Sequence, residues 1–169
     1  MPVVHGAANF FRFVRMRQKK ENAKFSHLDS EGRAVMVDVG QKPVQRRSAS
    51  AGCIVHCKRS TIEALKSASI PKGDVLTVAK IAGIQAAKRT DSLIPLCHQI
   101  ALSVVEVELT LVNEAVEVVC TAVTDAKTGV EMEALVGASV AALTIYDMCK
   151  AVDRTMAISD LKVLKKVKQ

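Results

Sequence analysis

The stretch VEVELTLVNEAVEVVCTAVT, Val105 to Thr124, decides the fold. Val105, Val107, Leu109 and Leu111 alternate with Glu106, Glu108 and Thr110, the period-two pattern of a strand with one face in a core and one in water. A turn near Asn113-Glu114 leads into a partner strand from Val116 to Thr124. Two strands joined this closely pair antiparallel, because a parallel return needs a long crossover.

The same reading extends outward from this hairpin. RAVMVDV (Arg33–Val39) is predicted as a short strand ended by Lys42-Pro43, and RSASAGCIVHC (Arg47–Cys57) as a second strand of small residues. Ser60-Thr61-Ile62-Glu63 has the capping-box pattern and opens a short helix to about Ser69. IPKGD breaks the chain, with Asp74 as N-cap of a helix over 75–90 whose apolar positions are Val75, Val78, Ala82 and Ala86, with Ala79. IPLCH (Ile94–His98) is a loop, since Pro95 disfavours helix at Ile94. A long helix lies within 130–154, and Ile158–Val167 is a last strand with a Lys-rich tail. The order β-β-α-α-β-β-α-β, without a repeated βαβ unit, predicts an α+β fold: a mostly antiparallel β-sheet with helices packed on one face.

Composition narrows the function classes. The 169 residues are 49% hydrophobic and 24% charged, enough for one domain with a real core. Four Phe, one Tyr and no Trp leave no stacking platform for single-stranded nucleic acid. The net charge of +7 is unevenly spread: residues 1–24 carry +5, and the remaining 145 only +2. Residues 1–24 are therefore read as a basic flexible arm and 25–169 as the folded domain, whose near-neutral body argues against a nucleic-acid partner. The arm lacks a secretory pattern, and its acid-free start has the Arg content of a mitochondrial presequence but not the Ser. The uncharged run Ala134–Tyr146, 13 residues, falls short of a bilayer span, so no membrane partner is expected.

Cys53, Cys57, Cys97, Cys120 and Cys149 are odd in number and show no C-x-x-C spacing, which implies a reduced, intracellular protein. The expected compartment is the cytoplasm, with the mitochondrion as alternative. On a strand Cys53 and Cys57 face one side and His56 the other, so buried small side chains are expected there rather than a metal site.

Within TGVEMEALVGASVAALTIYDMCK (Thr128–Lys150) the charges sit only at the ends. Asp147 and Lys150, three apart, share a helix face. Glu131 and Glu133 share a face only if the chain is extended there, so the helix is expected to start at or after Glu131. In a continuous helix Glu133 and Asp147 fall within about 40° around the axis but roughly 21 Å apart along it. Either the two ends have separate roles, or a second subunit brings them together.

Three more stretches carry reactive groups: PKGD (Lys72, Asp74), AAKRT (Lys88, Arg89) and LCH (Cys97, His98). Each alone is weak. In this order, PKGDVLTVAKIAGIQAAKRTDSLIPLCHQIALS followed by KTGVEMEALVGASVAALTIYDMCKAVD closely resembles the cyclic pyranopterin monophosphate synthase family, the MoaC-type proteins of molybdenum cofactor biosynthesis. The similarity runs from about Leu28, through LDSEGRAVMVDVGQK, to about Leu164.

The resemblance implies a lyase that rearranges (8S)-3',8-cyclo-7,8-dihydroguanosine 5'-triphosphate, made by a partner radical-SAM GTP cyclase, to cyclic pyranopterin monophosphate with release of diphosphate. It also implies ferredoxin-like subunits, a hexamer built as a trimer of dimers with intersubunit sites, and no metal or organic cofactor. Position by position, Lys72, Asp147 and Lys150 match the family's catalytic residues. Arg47, Lys88 and His98 match positions near the triphosphate, with Arg47 favoured over Arg46 by strand register. Leu96 and Cys97 flank that histidine, Met132 and Glu133 match contacts to the base end, and Glu131 matches a further acidic position. These residue types suit the chemistry: ring opening and closing need proton transfers, and departing diphosphate needs cations. The competing class is a non-catalytic nucleotide- or RNA-binding α+β module using the basic arm, supported by charge alone.

Overall fold

The structure, a computed structural model, describes residues 28–29 and 31–169; the expected basic arm, 1–24, lies outside them. Two units are distinguished, one ending at Ala34 and the other spanning Val35–Gln169. In the first, Leu28 bridges to Ala34, and Asp29 accepts the Glu31 and Arg33 backbone N–H groups and pairs with the Arg33 side chain.

The second unit holds β1 (Gln45–His56), α1 (Arg59–Lys66), α2 (Val75–Ala87), α3 (Thr90–Leu93), β2 (Leu102–Val112), β3 (Ala115–Ala126), α4 (Glu131–Cys149) and β4 (Ala157–Lys168). The four strands form one antiparallel sheet in the order β2-β3-β1-β4. Asn113 and Glu114 make the β2–β3 turn as the pattern predicts, and Val107 lies buried between the half-buried Val105 and Leu109. The two crossovers carry the helices, which pack on one face of the sheet.

Alternation along the strands shows which face. Ala49, Ala51, Cys53 and Val55 of β1 and Val116, Val118, Cys120 and Ala122 of β3 are buried toward the helices. Cys53 and Cys57 are therefore core residues, while His56 is exposed on the far side, in line with their opposite strand parity. α4 has the length and apolar composition of a membrane span, yet just over half of it is buried inside the fold, as in a core helix.

Small residues set how closely these layers approach. A Cβ on Gly83 would come 2.8 Å from the Gly137 carbonyl oxygen and 3.1 Å from both Ala141 Cβ and Val107 Cγ2. A Cβ on Gly137 would strike Cys120 Sγ and sit 3.3 Å from Ala87 Cβ. Gly83 meets Gly137 and Ala141 while Ala87 meets Gly137, so α2 runs antiparallel to α4. The buried stripe of α2 is Val75, Ala79, Gly83, Ala86 and Ala87. The expected stripe through Val78 and Ala82 is corrected: Val78 is exposed, because Gly83, without a side chain, is what lets the helices touch.

Two further expectations are corrected. Residues 33–39 form no strand; Asp38 Oδ1 accepts the Gly40 N–H at 2.7 Å and Lys42 N–H donates to the Val39 carbonyl at 3.0 Å, a local turn that competes with sheet pairing. The capping box at Ser60 is not used either. α1 begins at Arg59 with Lys58 as N-cap, and the cap comes from far along the chain: Asp153, 1% exposed, accepts Lys58 N–H at 2.7 Å and Thr61 Oγ1–H at 3.0 Å. Its other oxygen accepts Thr155 N–H and Oγ1–H at 2.9 and 2.7 Å. Asp74 does cap α2, accepting from Thr77 N–H at 3.1 Å.

Two stability outcomes follow. Gly83→Ala must displace backbone and is expected to cost about 1–3 kcal/mol in denaturant unfolding. Burial alone would raise the Asp153 carboxyl, but its four donors outweigh that and hold it well below the usual range. A depressed folded-state value contributes stability that is complete above the unfolded carboxyl's ordinary value, roughly 3.9, and disappears as pH falls through the lower folded value. Asp153→Ala should therefore lose about 2–4 kcal/mol at neutral pH, with the gap to wild type narrowing in melts taken below about pH 4.

Candidate active site

The end of α4 gathers the first cluster. Lys72, on the α1–α2 loop, sends its Nζ to the Asp147 carboxylate at 2.9 Å and to the Asp147 carbonyl at 3.0 Å. Lys150, one turn along α4, reaches the other Asp147 oxygen at 2.6 Å. Sequence geometry had joined only Asp147 and Lys150. The fold adds Lys72 because α2 runs antiparallel to α4, which returns the loop before α2 to the C-terminal end of α4.

One carboxylate thus lies between two ammonium groups, all three side chains roughly half exposed. Lys150 first, and then Lys72, hold the Asp147 carboxyl down at about 2, and Asp147 in turn raises Lys150 above its ordinary value. At neutral pH the triad is one carboxylate and a fully charged Lys150, with a surplus of positive charge facing solvent.

The start of α4 gathers the second cluster. Glu131 is half-buried and paired with Lys166 of β4. Arg47 is anchored by donating Nε–H to the Ala126 carbonyl at 3.2 Å and Nη2–H to Gln45 Oε1 at 3.0 Å. Burial would raise Glu131, but Lys166, and behind it Arg47, bring its carboxyl below the usual range. Glu133, only 4% exposed, goes the other way: burial lifts it, its own backbone N–H opposes, and the charges of Glu131 and Asp91 add to the lift. Two carboxyls two residues apart are pushed in opposite directions, as expected where one accepts hydrogen bonds and the other retains a proton more readily.

The 94–101 loop lies at this same end, with Leu96, Cys97 and His98 all half-buried. Burial, then the charges of Glu133 and Asp91, raise the Cys97 thiol, which makes it a lining group rather than a nucleophile. His98 Nε2 is 2.8 Å from the Val37 carbonyl oxygen. Lys88 caps the C-terminus of α2 and is exposed, as is Met132. Arg47, Lys88, Leu96–His98 and Glu131–Glu133 therefore belong to one end of the α2–α4 pair, and Lys72, Asp147 and Lys150 to the other. α4 is continuous from Glu131 to Cys149, so within one chain the two ends stand roughly 21 Å apart along its axis.

Sequence reasoning missed Lys166 and Asp91. Lys166 falls within the expected strand Ile158–Val167, one of several lysines near its end with no spacing signal of its own. Strand parity puts it on one face with Lys168, and only the β1–β4 register, Ala49 opposite Lys166, carries it to Glu131. Asp91, next to the quoted AAKRT, had no spacing signal tying it to Glu133.

Comparison with known proteins follows the same boundaries. The chain matches the MoaC family over residues 36–168. It is 51% identical over 143 residues to a cyclic pyranopterin monophosphate synthase of Peptoclostridium acidaminophilum, covering 85% of this chain and 91% of the relative. It is also 51% identical over 140 residues to a molybdenum cofactor biosynthesis bifunctional protein of Chlorobaculum tepidum, covering 83% of this chain and 45% of that protein. With its described domain matched from one end to the other, the chain belongs to the MoaC family.

Proposed function

We propose that this chain is a cyclic pyranopterin monophosphate synthase of molybdenum cofactor biosynthesis, a lyase that converts the cyclised dihydro-GTP to cyclic pyranopterin monophosphate and diphosphate. The observation that carries the reading is the Lys72–Asp147–Lys150 triad, two ammonium groups on one carboxylate, formed by the three residues to which the sequence resemblance gives catalytic roles. The printed name of the Peptoclostridium relative supplies the reaction.

In this reading Asp147 orients both lysines. Lys150, its charge stabilised by Asp147, enters as an ammonium, so its first proton transfer is a donation. The amine it leaves, still held by Asp147, is placed to take a proton back later in the ring rearrangement. Arg47, Lys88 and His98 bind the triphosphate and stabilise the charge that develops as diphosphate leaves. Glu131 and Glu133, with Met132, contact the base end, and Leu96 and Cys97 line the loop beside His98. Lys166, which holds Glu131 in its ionised form, joins this set.

The separation of the two clusters along α4 supports a site completed by a second copy, in a hexamer built as a trimer of dimers. Strand order β2-β3-β1-β4 with two helical crossovers supports the ferredoxin-like assignment. A radical-SAM GTP cyclase supplies the substrate, the cytoplasm is the compartment, and residues 1–24 are an arm outside the catalytic domain.

Incubating the purified protein with the cyclised dihydro-GTP should yield cyclic pyranopterin monophosphate and diphosphate. Lys72→Ala and Lys150→Ala should each lower kcat by about a hundredfold or more, and turnover within a few-fold of wild type would remove them from catalysis. Lys88→Ala should instead raise KM about tenfold, with a smaller loss of rate. Asp147 raises Lys150, so Asp147→Asn should move the alkaline limb of the kcat/KM profile to lower pH. An alkaline limb that stays in place would exclude Lys150 as the group titrating there.

A further inference from the structure

The segment from Val35 to Val44 has no regular structure and runs largely exposed, with only Val37 and Val39 half-buried. Two side chains of the body hold it, both through its carbonyl oxygens. His98 Nε2 lies 2.8 Å from the Val37 carbonyl, and Lys127 Nζ donates to the Gly40 carbonyl at 2.6 Å. Between these points the chain is pre-shaped by the Asp38–Gly40 and Val39–Lys42 turn bonds. Two half-buried valines supply little apolar anchoring, so the two side-chain bonds are a large part of what holds the segment down.

A carbonyl oxygen only accepts, so His98 Nε2 must carry a hydrogen. That leaves Nδ1 as the ring nitrogen available to a ligand. When the ring is protonated both nitrogens donate, and it can join the Val37 carbonyl to an anionic oxygen. Lys127 is well placed to fix this arrangement. It directly follows Ala126, whose carbonyl anchors Arg47, and precedes Glu131 by four residues.

We infer that residues 35–44 are a strap that orients His98 toward a substrate phosphate, and that Lys127 is a positioning residue acting on His98 through Gly40. The inference rests on the placement of His98 at the phosphate end of the site proposed above.

The test uses the full chain without substrate turnover. Inorganic diphosphate is titrated by calorimetry into wild type, Lys127→Met, Lys127→Arg, His98→Gln and the Lys127→Met/His98→Gln double variant. Hydrogen exchange of peptides covering 35–44 is followed in the ligand-free proteins. Lys127→Met should speed exchange in the strap and weaken diphosphate binding about five- to tenfold. Lys127→Arg, which keeps a cationic donor, should restore most of both. The double variant should bind no more weakly than His98→Gln alone, because Lys127 acts through that ring.

Unchanged strap exchange in Lys127→Met overturns the inference. So does faster exchange with diphosphate affinity within about twofold of wild type. Losses that multiply in the double variant also overturn it, since Lys127 would then act independently of His98. A wild-type protein that does not bind diphosphate is a separate result, and it removes the phosphate placement of His98 itself.

Discussion

The arrangement depends on one constraint, the close approach of α2 and α4 at Gly83 and Gly137, with Cys120 of β3 beneath them. Neither glycine lies at a positive φ; each is needed because another atom occupies the space a methyl would fill, the Gly137 carbonyl oxygen at Gly83 and the Cys120 sulfur at Gly137. Around them Ala79, Ala134, Ala138, Ala141 and Ala142 are all fully buried, small side chains that let α4 approach the sheet and α2 approach α4 closely. Small side chains bury little area each, so this core gains through dispersion across close contacts rather than through large aromatic surfaces. α4 runs continuously over 19 residues across this contact, and that fixes where its charged ends must be.

From that geometry the electrostatics divide cleanly. The C-terminal end of α4 has an exposed carboxylate saturated by two lysines, an arrangement suited to moving protons because each lysine is held without being desolvated. The N-terminal end has carboxyls that are substantially buried and that neighbouring charges push apart, an arrangement suited to recognition, where donor and acceptor must be distinct. The helix dipole favours the same division at one end: acidic Glu131 and Glu133 sit in the first turn.

Much of this was legible in the sequence, and the failures share a cause. The β2–β3 hairpin was readable because burial on one face imposes a period of two. α4 was readable because a core helix excludes charge from its middle. Residues 33–39 have strand-like composition, but the Asp38 side chain satisfies a backbone donor locally, which composition does not report. The capping box is not used because α1 starts earlier, at Arg59, where Asp153, more than ninety residues away, accepts from Lys58 N–H and the Thr61 hydroxyl, and a local pattern cannot anticipate a remote carboxylate. In the site, the Asp147–Lys150 contact was visible from helix spacing. The Lys72–Asp147 contact and the Glu131–Lys166 pair depend on helix direction and strand register, which only the assembled fold supplies.

The same constraint bears on how the proposed activity would be organised. A helix that bent at its glycine could in principle fold its two charged ends toward one ligand, but Gly137 lies where α4 is pinned from both sides, by Gly83 and Ala87 of α2 and by Cys120 of the sheet. Bending there would break these close contacts and shift each end relative to its partner outside the helix, Lys72 for Asp147 and Lys166 for Glu131. Within the proposed reading, a single ligand meets both ends only if different copies of the chain supply them. On that view the rigidity of the monomer is what makes its site depend on assembly, and the apolar middle of α4 contributes to function by refusing to bend.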